Sequence, residues 1–80
     1  MKKIYSMNVI KGTPKFYIGT GRLYLTEVSG HQIAMAKARN ESKNGESVNV
    51  YIEADNAPLQ MIRAYKNGAL EYVAGHITIK

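Results

Sequence analysis

The stretch "ESVNVYIEA", residues 46–54, is the sequence feature that most constrains the fold. Apolar and polar positions alternate along it, and the apolar side consists of Val48, Val50 and Ile52. The positions that face the other way are Asn49, Tyr51 and Glu53. A period of two over this length is typical of a strand with one buried face. The pattern therefore predicts a sheet whose inner face is covered by other elements.

The N-terminal part of the chain predicts an antiparallel hairpin. Residues 3–10 have the composition of a strand, and the next apolar run begins at Phe16. A loop over residues 11–14 would place Val9 opposite Phe16, so that the inward positions of both strands are apolar. We therefore expect these two strands to pair.

Two glycines follow this hairpin at a change in the apolar pattern. Leu23 and Leu25 are out of step with the strand that begins at Phe16, and Gly19 and Gly21 lie between. Glycine is typical both of a bulge that bends one long strand and of a tight turn into a third strand. The sequence leaves both interpretations open.

The middle of the chain predicts a first helix. Ser29 and Gln32 match a capping box, in which the two residues satisfy each other's backbone donors. Good helix formers follow up to Lys43, where Lys-Asn-Gly is typical of a helix end. A rival interpretation pairs residues 32–39 with residues 47–53 as a hairpin.

A second helix is predicted after the strand over residues 46–54. Asn56 and Pro58 are typical of a helix start, and the segment would continue to about Lys66. Apolar residues recur at helical spacing, namely Leu59, Ile62 and Tyr65. The tripeptide Lys-Asn-Gly follows again, which favours a second C-cap.

The segments "ALEYV" and "ITIK", with a break at Gly75-His76 between them, are predicted to form one interrupted strand or a small hairpin. Eighty residues are the size of one small domain. Together these elements predict a single α+β domain over residues 1–80, with a mainly antiparallel sheet of about four to five strands and two short helices on one face.

The net charge of +5 is concentrated at one end of the chain. Residues 1–22 hold five cations and no acid, namely Lys2, Lys3, Lys11, Lys15 and Arg22. From residue 23 onward, six cations balance six acids. A local positive field attracts phosphate or carboxylate surfaces. The bland alternative is that these lysines keep a sheet edge soluble and unpaired.

Catalytic and metal chemistry find little support in the sequence. The chain has no cysteine, which excludes a disulfide, a thiolate zinc site and a cysteine nucleophile. His31 and His76 lack partners at metal-ligand spacing, and Glu53 with Asp55 is the only close pair of acids. We therefore predict a protein that is not an enzyme and has no cofactor and no metal site.

The candidate partner-binding residues combine cations with tyrosines: Lys11, Lys15, Tyr17, Arg22 and Tyr24. Tyrosine and arginine are enriched at interface hot spots. We predict a small binding module that docks through its basic N-terminal hairpin onto an acidic protein or onto a protein complex carrying nucleic acid. A phage-type inhibitor or regulator is one class of protein that this prediction fits. The alternative is direct binding of DNA or RNA by the same hairpin, with tyrosines stacked on bases.

The sequence predicts a cytoplasmic protein that binds no membrane. The absence of cysteine suits a reducing compartment. Ser6 and Asn8 interrupt the apolar run that follows the basic start, and no stretch approaches the ~20 apolar residues of a membrane span. An uncovered strand edge is compatible with a homodimer.

Overall fold

The computed structural model describes residues 13–21, 24–55 and 57–74. The elements are β1 (Lys15–Gly19), β2 (Leu25–Val28), α1 (His31–Ser42), β3 (Ser47–Ala54), β4 (Ala57–Lys66) and β5 (Ala69–Val73). The five strands form one sheet in the order β2-β1-β3-β4-β5, and each neighbouring pair is antiparallel. The α+β class and the antiparallel sheet are thereby confirmed, with one helix in the described part of the chain.

The strand β3 lies at the centre of the sheet and supplies the middle of the core. Val48, Val50 and Ile52 are buried on the side that α1 covers, as the alternation predicts. Ala34 and Ala38, one helical turn apart, are fully buried in the same cluster. These small side chains let α1 approach the sheet closely, so the face of the helix that packs on β3 is made of alanine and not of large apolar residues.

The chain turns sharply between β1 and β2, so the tight turn is the correct one of the two interpretations of Gly19 and Gly21. The Tyr24 backbone N–H donates to the Gly21 carbonyl oxygen at 3.2 Å. A Cβ atom at Gly19 would overlap the carbonyl oxygen of Tyr24. Glycine is therefore required where the two backbones approach each other.

The strand β1 has a neighbour on each side. Phe16 is paired with Val28 of β2 and with Ile52 of β3. Both edges of β1 are therefore occupied by described strands. The strand predicted over residues 3–10, with its expected pairing of Val9 and Phe16, lies outside the described residues.

The second predicted helix is wrong, because residues 57–66 form the strand β4. Pro58 lies where the pairing between β3 and β4 is irregular, after the Ala54–Ala57 pair. A missing backbone N–H is tolerated at such an interruption of the ladder. What favoured a helix was the three-residue spacing of the apolar positions.

A bulge in β4 explains that spacing. Val50 pairs with Arg63, whereas the next residue of β3 pairs with Met61, so that Ile62 is the extra residue. In a regular strand, Ile62 and Tyr65 would face opposite sides. The bulge allows both residues to be buried in the core cluster. Buried positions three residues apart therefore occur here in a strand, although this spacing is typical of a helix.

The first predicted helix is confirmed, and the rival hairpin over residues 32–39 is wrong. The capping box is also wrong, because Gly30 is the N-cap and no side-chain hydrogen bond caps the helix. The Ala34 backbone N–H donates to the Gly30 carbonyl oxygen at 2.9 Å. The helix therefore begins one residue later than the box requires.

The two Lys-Asn-Gly tripeptides have different roles. After α1, Gly45 has a φ of 94°, the left-handed geometry expected beyond a helix end. Between β4 and β5, Asn67 and Gly68 have φ values of 55° and 78°. Two successive positive φ angles are typical of a tight hairpin turn, so the second tripeptide turns one strand into the next.

Ser42 joins the end of α1 to this hairpin turn. The residue is fully buried, and its hydroxyl donates to the Arg39 carbonyl oxygen at 2.8 Å. The same hydroxyl oxygen accepts the Gly68 backbone N–H at 2.9 Å. The Ser42 carbonyl oxygen accepts the Asn67 backbone N–H, also at 2.9 Å. Backbone donors of the turn are thus satisfied by the last residue of the helix.

Ser42→Ala is expected to lower the free energy of unfolding by about 1–3 kcal/mol, because the Gly68 N–H is left without its acceptor. Ser29→Ala is the matched control. Ser29 is exposed and caps nothing, so its loss should change stability by less than about 0.5 kcal/mol. Urea denaturation of both variants measures the difference. Equal losses would contradict the link between Ser42 and the turn.

Candidate functional site

Three of the five candidate partner-binding residues are described by the structure, namely Lys15, Tyr17 and Tyr24. Lys15 and Tyr17 belong to β1, and Tyr24 immediately precedes β2. The β1–β2 hairpin, residues 15–28, therefore carries all three. Lys11 and Arg22 lie outside the described residues.

Lys15 and Tyr17 lie on the face of the sheet opposite α1. They alternate with Phe16, which is buried on the helix side. Tyr17 is half-buried, and its backbone partner on β3 is Tyr51. Tyr51 was expected to point outward, and it does lie on this face, yet it is 4% exposed. Asn49 Nδ2 donates to the Tyr51 hydroxyl oxygen at 3.2 Å.

Two carboxylates moderate the positive charge at this part of the hairpin. Glu53 pairs with Lys15, and Glu27 pairs with Tyr17. The Tyr17 hydroxyl donates to Glu53 Oε1 at 3.3 Å. Partial burial raises the pKa of Tyr17, and the carboxylates of Glu53 and Glu27 raise it further. Tyr17 is therefore neutral, and its surroundings carry both signs of charge.

Tyr24 has the most solvent-exposed side chain among the large apolar and aromatic residues of the described chain, with 77% of its surface accessible. Its backbone is held by the close approach to Gly19 and by the hydrogen bond to Gly21. The sheet thus fixes the position of the main chain while leaving the aromatic ring in solvent. Such an arrangement presents a ring to a partner at small entropic cost, since the backbone is already ordered.

Of the groups considered for acid–base or metal chemistry, His31, Glu53 and Asp55 are described by the structure, and His76 lies outside the described residues. In the described ranges, no cluster of three or more histidine, aspartate or glutamate side chains could hold a metal ion. The His31 ring stacks on Phe16 with ring centroids 5.4 Å apart. Burial lowers the pKa of His31, and the charge of Arg63 lowers it further, so the neutral imidazole is favoured. His31 therefore behaves as a packed side chain.

A groove that sequence reasoning missed lies between α1, β4 and β5. Its volume is about 310 Å³, and its lining is Gln32, Met35, Ala36, Arg39, Arg63, Tyr65 and Leu70. The Arg39 guanidinium carbon lies 5.6 Å from the centroid of the Tyr65 ring. The predicted helix over these residues gave no indication of this groove, because Arg63 has a cross-strand neighbour only when β4 is a strand.

The described part of the chain holds no helix that is long and apolar enough to cross a membrane.

The structure offers two surfaces at opposite ends of the strand order, the β1–β2 hairpin and the α1–β4–β5 groove. Comparison of the chain with protein-family models, with curated proteins and with solved structures finds no match.

Proposed function

We propose that the protein is a non-catalytic binding module that docks onto an acidic protein surface through its β1–β2 hairpin. The partner is an acidic protein, either alone or within a complex that carries nucleic acid. The observation that carries this proposal is the 77% exposure of Tyr24, whose backbone N–H is hydrogen-bonded to Gly21. Tyrosine is over-represented among the residues that dominate binding energy at interfaces.

The support comes first from the way the hairpin is anchored. Strand β1 pairs with β2 along Phe16–Gly19 and with β3 along Lys15–Gly19. Phe16 and Ile18 fasten the same strand to the core, with 5% and 3% of their surfaces exposed. Strand β1 is thus fixed on both edges, and β2 is fixed to it along one edge. A docking element anchored in this way loses little freedom on binding, so more of the contact energy remains as affinity.

Charge gives the hairpin a preferred class of partner. Glu53 lies opposite Lys15 and Glu27 opposite Tyr17, so the described part of the hairpin carries both signs of charge. The net positive charge of residues 1–22 is a property of the sequence, and its other cations lie outside the described residues. Arg22 is two positions before Tyr24 in the sequence. An acidic surface would be attracted over about one Debye length, ~8–10 Å in ordinary buffers. The tyrosine then supplies the short-range contact.

Tyr24→Ser is expected to weaken binding to the partner by about tenfold or more, the effect of losing a hot-spot aromatic. The immobilised chain first captures the partner from the source cells, and calorimetry with the purified partner then gives the affinity of each variant. Tyr72→Ser is the matched control, because Tyr72 is also an exposed tyrosine, at 42%, but lies on β5. Its affinity should stay within about twofold of the parent chain. Equal losses in both variants would overturn the proposal.

Nucleic acid is tested in a separate arm. Fluorescence anisotropy with single-stranded DNA, duplex DNA and RNA is recorded at about 50 and 200 mM salt. A docking module for protein gives little binding to any of them. Affinity that falls about 10³-fold between the two salt concentrations, and is lost in Tyr24→Ser, would replace the protein partner with nucleic acid itself.

A further inference from the structure

The α1–β4–β5 groove has the size of a small-ligand site. Its volume of about 310 Å³ lies at the lower end of the ~300–1,000 Å³ typical of such sites. Its apolar lining consists of Met35 and Ala36 from α1 and Leu70 from β5, while Gln32 supplies amide donors. The groove is formed by elements other than β1 and β2, so it is separate from the proposed docking hairpin.

Among the described residues, the charged lining of this groove is positive alone. Arg39 and Arg63 line it together, and no described aspartate or glutamate belongs to its lining. Within the described ranges, neither arginine forms a salt bridge, and the Arg39 guanidinium lies over the face of the Tyr65 ring. Arg39 is exposed and Arg63 is half-buried, so Arg63 is the arginine that is partly withdrawn from bulk water. Two guanidinium groups that share a groove repel each other, and an arginine is normally paired where it leaves bulk water.

Arg63 has an unusual position for a cation. It projects from β4 on the side that α1 covers, and its backbone partner is Val50, which is fully buried. The side chain itself is half-buried. Its charge is felt by His31, whose pKa it helps to lower. A bound anion would stabilise the Arg63 guanidinium more strongly than water in the groove does, because it adds charge-assisted hydrogen bonds.

We propose that the groove binds a small phosphate monoester with a short apolar or aromatic body. A phosphate monoester carries about −1.5 to −2 charges at neutral pH, which matches two guanidinium groups. The planar fork of arginine suits its oxygens, and Gln32 offers further donors. The organic body lies along Met35 and Leu70, and the methionine thioether is a favourable neighbour for an aromatic ring.

Phenyl phosphate is the probe that tests this site. We expect it to bind with a Kd of about 1 mM or tighter, measured by NMR titration that follows the arginine side-chain Nε–H resonances. Arg63→Gln and Arg39→Gln should each weaken binding by about tenfold. Lys37→Gln is the matched control, since Lys37 is an exposed cation of α1 outside the groove, and it should leave the Kd within about twofold.

Two comparisons keep the test decisive. Arg63→Lys retains the positive charge without the planar fork of the guanidinium. If this variant binds phenyl phosphate more weakly while its thermal unfolding is unchanged, the loss of affinity comes from the geometry of the site and not from misfolding. Benzoate and phenol report on charge and on the apolar body, and both should bind at least about fivefold more weakly than phenyl phosphate. Equal binding of phenol, or an equal Kd in the parent and both glutamine variants, would overturn the proposal.

Discussion

Gly19→Ala is expected to lower the free energy of unfolding by about 3 kcal/mol, as forced overpacking does. The new Cβ atom would overlap the Tyr24 carbonyl oxygen and come within 3.1 Å of a Leu25 methyl carbon. A carbonyl oxygen belongs to the backbone and cannot rotate away, so β1 and β2 must move apart. That movement breaks the pairing of Gly19 with Leu25, the last pair of the hairpin.

Gly21→Ala is the control for this prediction. Nothing lies within 4 Å of a Cβ atom at Gly21, and its φ is not in the left-handed region. The substitution should therefore change stability by less than about 1 kcal/mol and can even stabilise, because alanine restricts the unfolded chain. Urea denaturation followed by circular dichroism measures both variants. Similar midpoints for the two would show that β1 and β2 are not in close contact at Gly19.

Ile52→Ala is the second substitution with a large effect, and its expected cost is about 2–5 kcal/mol. Ile52 is fully buried on the central strand, and Phe16 is its backbone partner on β1. Removing most of its side chain leaves a cavity that β-sheet pairing on both sides prevents from closing. Thermal and urea unfolding report the loss.

Ile33→Ala is the control for Ile52→Ala, because it makes the same substitution at an exposed isoleucine. Ile33 lies on α1 with 48% of its surface exposed, so shortening its side chain removes little buried apolar area. Alanine also has the higher helix propensity. Stability should change by less than about 0.5 kcal/mol. A loss as large as that of Ile52→Ala would mean that the exposed side of α1 is packed against something and that the assigned core is incorrect.

The elements that were predictable are those whose pattern is local. The alternation around Val50 specifies β3, and the run of good helix formers around Ala36 specifies α1. The strand β4 escaped prediction because its bulge places Ile62 and Tyr65 together on the buried side. A bulge depends on the partner strand, so no property of residues 57–66 alone reveals it.

The candidate site shows the same limit. Residue type and charge pointed to Lys15 and Tyr17, yet the carboxylates that moderate them come from other strands through the sheet register. The groove is wholly a product of packing, because Arg39 and Arg63 belong to different elements and meet only when α1 covers β4. In the sequence, both arginines belong to the segment from residue 23 onward, whose charges cancel, so the charge pattern did not single them out.

The position of β1 in the sheet has a consequence for the order of folding. Strands β3, β4 and β5 are joined by short turns and form a local meander, whereas β1 reaches β3 only across α1, with Tyr17 and Glu53 separated by 36 positions. Non-local pairing carries the larger loop-closure cost and therefore forms late. We expect the meander to assemble first and β1–β2 to join last. The hairpin that is proposed to meet a partner would then be the last part of the sheet to form, so its docking surface would be complete only in the folded domain.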